Sequence, residues 1–224
     1  MGKPRVIVFA SGTPTGGGSG FENLVAATKR RELDADIVAV VSNHECGGVR
    51  ERADRLGIPF VCFPSSLRSL GEGGSPGSDY RKVVEDAGAE WTALSGWFKL
   101  VKGLDPARTI NIHPALLSQL GGRFGGKGMY GHHIHEAVKS AFDAGEIAES
   151  GFTMHFVTEE MDRGPAFFER RVPIEKGMST DEIAKAVNKA EHEWQPKITN
   201  LMVHGEIRWD GKDPASLVVP ADIK

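Results

Sequence analysis

"RVIVFASGTPTGGGSGFENLVAATKRRE", residues 5–32, sets an apolar run, a glycine-rich loop and a helical pattern in direct succession. The run is β-branched and too short for a buried helix, so it reads as a strand, while residues 21–32 carry apolar side chains at helical spacing. A strand that passes through such a loop into a helix is the first half of a βαβ unit. The alternation continues with "DIVAVVS" (36–42), "FVCF" (60–63) and "WTALS" (91–95), separated by helical patterns over about 47–57 and 79–88. Together these predict an α/β fold, a single Rossmann-type domain over 1–224 with a mostly parallel twisted sheet.

The second half changes character. "TINIHPALL" (109–117) is a short apolar strand, followed by "GGRFGGKGMYG" (121–131) and a helix "HHIHEAVKSAFDAG". Two strand-like runs, "GFTMHFVT" (151–158) and "AFFERRVPI" (166–174), are joined by "EEMDRG", which predicts an antiparallel hairpin at the C-terminal side of the sheet. Ser179 with Glu182 three residues on reads as a capping box opening a long helix, "STDEIAKAVNKAEHEWQPKI". The tract "SSLRSLGEGGSPGSDY" (65–80) reads as a surface loop, and the residues from "GEIRWDG" on as a short strand and a loose tail over about 206–224.

The 224 residues carry 40% hydrophobic and 25% charged side chains with a net charge of -3, which calls for neither nucleic acid nor an anionic membrane as partner. The first apolar run is too short for a signal-peptide core or a membrane span. The two cysteines, Cys46 and Cys62, form no CxxC pair, which fits reduced thiols and a cytoplasmic place.

The first loop, "SGTPTGGGSGFENL", leads from strand to helix where exposed N–H groups favour a phosphate. It holds no Gly-Lys-Ser/Thr, and Gly16, Gly18 and Phe21 break the GxGxxG spacing, so a phosphate monoester is expected and not a dinucleotide. A merely mobile turn is the plainer alternative.

Asn111 and His113 lie two apart on a strand, so both side chains leave one face, and Pro114 ends the pairing. A carboxamide beside an imidazole at a strand end suits an oxyanion forming on an attacked carbonyl. A carboxylate would favour the charged imidazole and take a proton from an attacking amine; Glu159, Glu160 and Asp162 all qualify, and an Asp before Arg-Gly is also a common turn residue. His132 and His135, with His113 and His155, invite a metal, but no HExxH or familiar ligand spacing occurs, and no metal is expected. The loop 121–131, with six glycines, Arg123 and Lys127, suits a lid over an anion. Trp97 and Phe98 follow a buried strand, where a flat ligand stacks or a core is filled.

Taken together, "VIVFASG" with its glycine loop, "VVSN", "LSGWFKLV", "INIHPALL", "GGKGMYGHHIHEAV", "GFTMHFVTEEMDRGP" and "KAEHEW" resemble the phosphoribosylglycinamide formyltransferases, folate-dependent enzymes of purine synthesis. The resemblance runs in order over about residues 5–205. It implies formyl transfer from 10-formyltetrahydrofolate to glycinamide ribonucleotide, with a phosphate-binding half over about 1–100 and a folate-binding and catalytic half over about 101–205. Asn111 and His113 would polarise the formyl group, and Asp162 would raise the His113 pKa and relay the proton. The phosphate would sit on Gly18, Ser19 and Gly20, with Asn23 and Glu191 near the ribose phosphate or glycinamide, and the folate along Phe98, Lys99, Leu100 and Val101. A monomer or homodimer acting on small molecules is implied.

This chain departs from that pattern in a longer phosphate loop, in "LLSQ" where many members have Leu-Leu-Pro, and in the lack of a clear match for an arginine, for which Arg68 or Arg81 would stand in. Rival readings are a 10-formyltetrahydrofolate hydrolase, another formyltransferase of the same fold, and a non-catalytic folate- or nucleotide-binding module.

Overall fold

The computed structural model describes residues 2–63 and 76–223. In chain order it forms β1 (Arg5–Phe9), α1 (Ser19–Lys29), β2 (Asp36–Ser42), α2 (Gly48–Leu56), β3 (Phe60–Cys62), α3 (Pro76–Asp86), β4 (Trp91–Ser95), β5 (Thr109–His113), α4 (His132–Asp143), β6 (Glu149–Phe156), β7 (Ala166–Pro173) and α5 (Thr180–Val203). The strands make one 7-stranded sheet in the order β3-β2-β1-β4-β5-β6-β7. β1 to β5 run parallel, while β6 is antiparallel to β5 and β7 to β6.

The apolar runs are continuous because both faces of the sheet are covered. Val6 and Val8 of β1 face a core shared with Phe21 and Leu24 of α1, Ile134 and Val138 of α4, and Ile183 and Val187 of α5. Ile7 and Phe9 point the other way, toward Val41, Leu94, Trp97 and Tyr80 of α3. The long helix α5 begins as the capping box expects: the Ser179 hydroxyl accepts from the Glu182 N–H (3.3 Å), and the Glu182 carboxylate accepts from the Ser179 N–H (2.8 Å).

Three expectations change. α1 starts at Ser19, two residues early, directly after the left-handed Gly18. The expected surface loop is helical from Pro76, because a proline, which lacks the N–H that a first turn leaves unpaired, opens α3; its remainder, with Arg68, lies outside the described residues. The C-terminal segment is neither strand nor loose. Arg208 and Val218 form an isolated bridge, and Ile207 and Trp209 are buried, with the Trp209 ring 5.5 Å from that of Phe156 and its N–H donated to the Asp213 carbonyl.

Trp209→Ala is therefore expected to cost about 3 kcal/mol of unfolding free energy in a urea titration, as for a core aromatic. A loss under about 0.5 kcal/mol, typical of an exposed site, would show that the C-terminal segment is only draped on the domain.

Candidate active site

The strand order reverses between β1 and β4, and α/β sheets bind ligands in the crevice at such a reversal. Here the two loops leaving the strands are tied together: Ser11 donates its N–H to the Gly96 carbonyl (2.8 Å), and its hydroxyl accepts from the Phe98 N–H (3.0 Å). Beside them opens a cavity of about 400 Å³. Its wall brings together Gly18, Ser19 and Gly20, the segment Phe98 to Val101, Asn111, His113, Asp162 and Glu191. Asn23 is not among them; its carboxamide donates to the His192 carbonyl (2.7 Å) and ties α1 to α5.

α1 begins in this wall with Gly18 at its cap and no capping side chain, so its first N–H groups are open to an acceptor. The lengthened loop folds into a tight turn, Thr13 N–H to Gly16 carbonyl at 2.9 Å, and lies on the start of α2, where the Gly48 N–H reaches the Thr13 carbonyl (3.4 Å). The extra residues thus brace α2 and leave the start of α1 clear. Arg81 points elsewhere, to the Gly103 carbonyl.

The polar centre is built across β5 and β6, whose register sets Asn111 opposite His155. The His155 Nδ1 faces the Phe156 carbonyl (2.8 Å), which requires the proton there and makes Nε2 an acceptor for the Asn111 amide (3.1 Å). Asp162 arrives from the β6–β7 connection with a left-handed backbone (φ 55°), a strained state that aspartate tolerates better than most residues. Its Oδ1 lies 3.4 Å from Asn111 Nδ2, 3.6 Å from His113 Nδ1 and 3.5 Å from His155 Nε2. Its Oδ2 accepts the Gly126 N–H (2.8 Å). Gly164 follows, and a side chain there would collide with the Phe156 carbonyl, so this turn admits only glycine.

The glycine-rich segment 121–131 is part of this centre and less a free lid than the sequence suggests. Phe124 is wholly buried, and its carbonyl lies 2.7 Å from His113 Nε2. Arg123 turns away to Glu146 at 2.5 Å. Farther along, Tyr130 is exposed and faces Phe98, with ring centroids 5.7 Å apart. Trp97 belongs to the core, edge-on to Phe9 at 5.3 Å.

Burial pushes the His113 pKa below its ordinary value, against the Asp162 charge and the Phe124 carbonyl, which raise it, and with His155 also lowering it. Nε2 carries a proton toward the Phe124 carbonyl, and Nδ1 faces Asp162, where a second proton would be paired with the carboxylate. Burial also acts to raise the Asp162 carboxyl, yet His155, the His113 charge and the Gly126 N–H hold it low. Burial lifts Glu191 to about 7, with the Asn188 amide opposing. His135, buried in the same wall, falls to about 4. Among the described residues no three His, Cys, Asp or Glu side chains form a group able to hold a metal ion. His132 stands at the surface, 3.7 Å from both Glu136 and Asp181.

Sequence reasoning missed His155 except as a metal ligand, and missed the Phe124 carbonyl and Gly126 N–H altogether. The histidine's role depends on the antiparallel β5–β6 register, which no local pattern encodes.

The family model described as formyl transferase matches residues 4–199. The chain belongs to the formyl transferase family. It is 34% identical over 92% of its length to the chloroplastic phosphoribosylglycinamide formyltransferase of Arabidopsis thaliana, covering 68% of that protein. It is 30% identical over 89% of its length to the phosphoribosylglycinamide formyltransferase of Bacillus subtilis, covering 94% of it. Glycinamide ribonucleotide transformylase 1 from Geobacillus kaustophilus superposes with a TM-score of 0.71 at 29% identity, over 90% of this chain and 99% of that one. The family's single α/β domain, with its mostly parallel sheet and antiparallel β5 to β7, is the fold expected from the sequence.

Glu191 yields a test by linkage. Its carboxyl ionises near 7 when folded and near 4.5 in its ordinary state, so the folded chain holds that proton more tightly and stability falls as pH rises between the two. Glu191→Gln is expected to remove this fall, on the order of 1–3 kcal/mol, in urea unfolding compared at pH 5 and pH 8. Identical pH dependence in the two proteins would sink the assignment.

Proposed function

We propose that the chain transfers the formyl group of 10-formyltetrahydrofolate to the primary amine of glycinamide ribonucleotide, giving formylglycinamide ribonucleotide and tetrahydrofolate. The observation that carries this reading is the convergence of Asn111, His113 and His155 on one carboxylate oxygen of Asp162, in a cavity whose wall also holds the open start of α1. The names of the Arabidopsis and Bacillus relatives support the same chemistry.

The donor fits the segment after β4. Among the described residues the backbone groups of Lys99, Leu100 and Val101 have no hydrogen-bond partners, so they are available to a pterin edge, while Phe98 and Tyr130 flank it with their rings. The acceptor's phosphate fits the N–H groups of Ser19 and Gly20. The N-terminal half thus serves the phosphate, and residues 101–205 supply the catalytic groups.

In the transfer, the amine nitrogen bonds to the formyl carbon and the carbonyl electron pair moves to oxygen. Asn111 keeps one amide hydrogen on His155 and turns the other from Asp162 to that oxyanion. His113 takes the amine proton at Nδ1 and becomes an imidazolium already paired with the Phe124 carbonyl and Asp162. His113 then returns the proton to the departing folate nitrogen as the old carbon–nitrogen bond breaks. Asp162 balances the transient positive charge of the imidazolium and keeps its own proton state. The chemistry asks for no metal ion. Among the described residues no helix is long and apolar enough to cross a membrane, and the free, exposed Cys46 and Cys62 suit a reducing cytoplasmic compartment. Hydrolysis of the same donor would need the polar centre but no anion site, so the start of α1 favours the phosphorylated acceptor.

Absorbance assays with 10-formyltetrahydrofolate, with and without glycinamide ribonucleotide, test the reading directly. Turnover is expected only with the ribonucleotide; equal turnover without it would make the chain a hydrolase. Asn111→Ala and His113→Ala should each lower kcat by roughly 10²–10³. Because Asp162 raises the His113 pKa, Asp162→Asn should move the acid limb of kcat/KM to lower pH while reducing the rate. A shift to higher pH would refute His113 as the base.

A further inference from the structure

Gln195, on α5, is only 1% exposed yet lines the cavity. Its Oε1 receives one long bond, from the buried Ser95 hydroxyl at 3.4 Å. No hydrogen bond from its Nε2 occurs among the described residues, so the two donors of this cavity-lining amide are free for a ligand. A buried amide left half-satisfied costs free energy, and a ligand oxygen would recover it.

The pair's position says which oxygen. A side chain at Gly20 would collide with the Ser95 hydroxyl and stand 3.5 Å from Gln195 Oε1. Ser95 and Gln195 therefore fill the space beside the second residue of α1, where the helix presents its open N–H groups. Asn188, Glu191, His192 and Gln195 make one polar stripe of α5 along the same wall, at helical spacing. Lys99, on the loop after β4, is the only Lys or Arg among the wall residues described. Arg52 lies against Gly18 but turns its guanidinium to Glu22 and the Gly48 carbonyl, so among the described residues the donors left at the start of α1 are neutral.

We propose that the Gln195 carboxamide, oriented by Ser95, donates to the phosphate of the acceptor beside the N–H groups of Ser19 and Gly20. The assignment rests on the phosphate monoester acceptor proposed above and adds a side-chain ligand to it. Gln195 is a binding residue for that group and takes no part in moving the formyl group.

The test is the steady-state kinetics of Gln195→Met, which keeps the volume and removes the donors, and of Gln195→Glu, which sets a negative charge against the phosphate. Gln195→Met should raise KM for glycinamide ribonucleotide about 10- to 100-fold, the effect of losing a hydrogen bond to a charged group. KM for 10-formyltetrahydrofolate and kcat should stay within about twofold of wild type, and Gln195→Glu should raise the ribonucleotide KM further. Ser95→Ala should give a smaller rise of the same kind, which keeps the proposal testable if a Gln195 variant folds poorly. An unchanged ribonucleotide KM in Gln195→Met, or equal damage to both KM values, would overturn it. Calorimetric binding of inorganic phosphate to wild type and Gln195→Met separates this from failure of the proposed reaction. Weaker phosphate binding in the variant upholds the site even if the wild type uses another acceptor, and equal binding rejects it.

Discussion

One carboxylate oxygen, Asp162 Oδ1, organises the reactive end of this domain. Three side chains from two strands approach it within 3.6 Å, and burial alone would push its carboxyl toward the neutral form. The charge survives because donors reach it, the Gly126 N–H on Oδ2 and the Asn111 amide on Oδ1, with two imidazole edges beside Oδ1. Each donor needs a prior constraint, and the constraints are backbone groups. The Phe156 carbonyl fixes the proton of His155, which fixes the Asn111 amide, while the Phe124 carbonyl fixes the proton of His113. The side chains that carry the chemistry are thus oriented by main-chain oxygens that no substitution removes.

The acceptor end follows a different rule. There the helix start, the glycine loop and the polar stripe of α5 offer donors without charge, and their positions depend on how closely α1 can approach β4 and α5. Glycine at position 20 allows that approach. The added loop residues spend themselves on α2, so a longer loop does not cover the helix start.

Most of this architecture was legible in the sequence. The strand–loop–helix alternation in the first half, the Ser179–Glu182 capping box and the hairpin around "EEMDRG" are local patterns, and local patterns survive translation into structure. Asn111 and His113 announce themselves by sharing a strand face. What stayed hidden depends on contacts far apart in the chain. His155 acquires its role from the β5–β6 register, the buried Phe124 from a loop whose glycines suggest mobility, and the lowered pKa of His113 from the depth at which the strand is covered. The C-terminal segment escapes a local reading because one ring contact and one indole hydrogen bond, and no periodicity, hold it in place.

Phe156 joins those two misread features. Its ring meets Trp209 of the C-terminal segment, and its carbonyl sets the proton position of His155. Trp209 therefore acts as a keystone behind the reactive face: it stands outside the cavity, yet it packs on the strand end from which the cavity's hydrogen bonds are hung. Loosening the indole of Trp209 would therefore reach the active centre from behind, through the strand end that carries the Phe156 carbonyl.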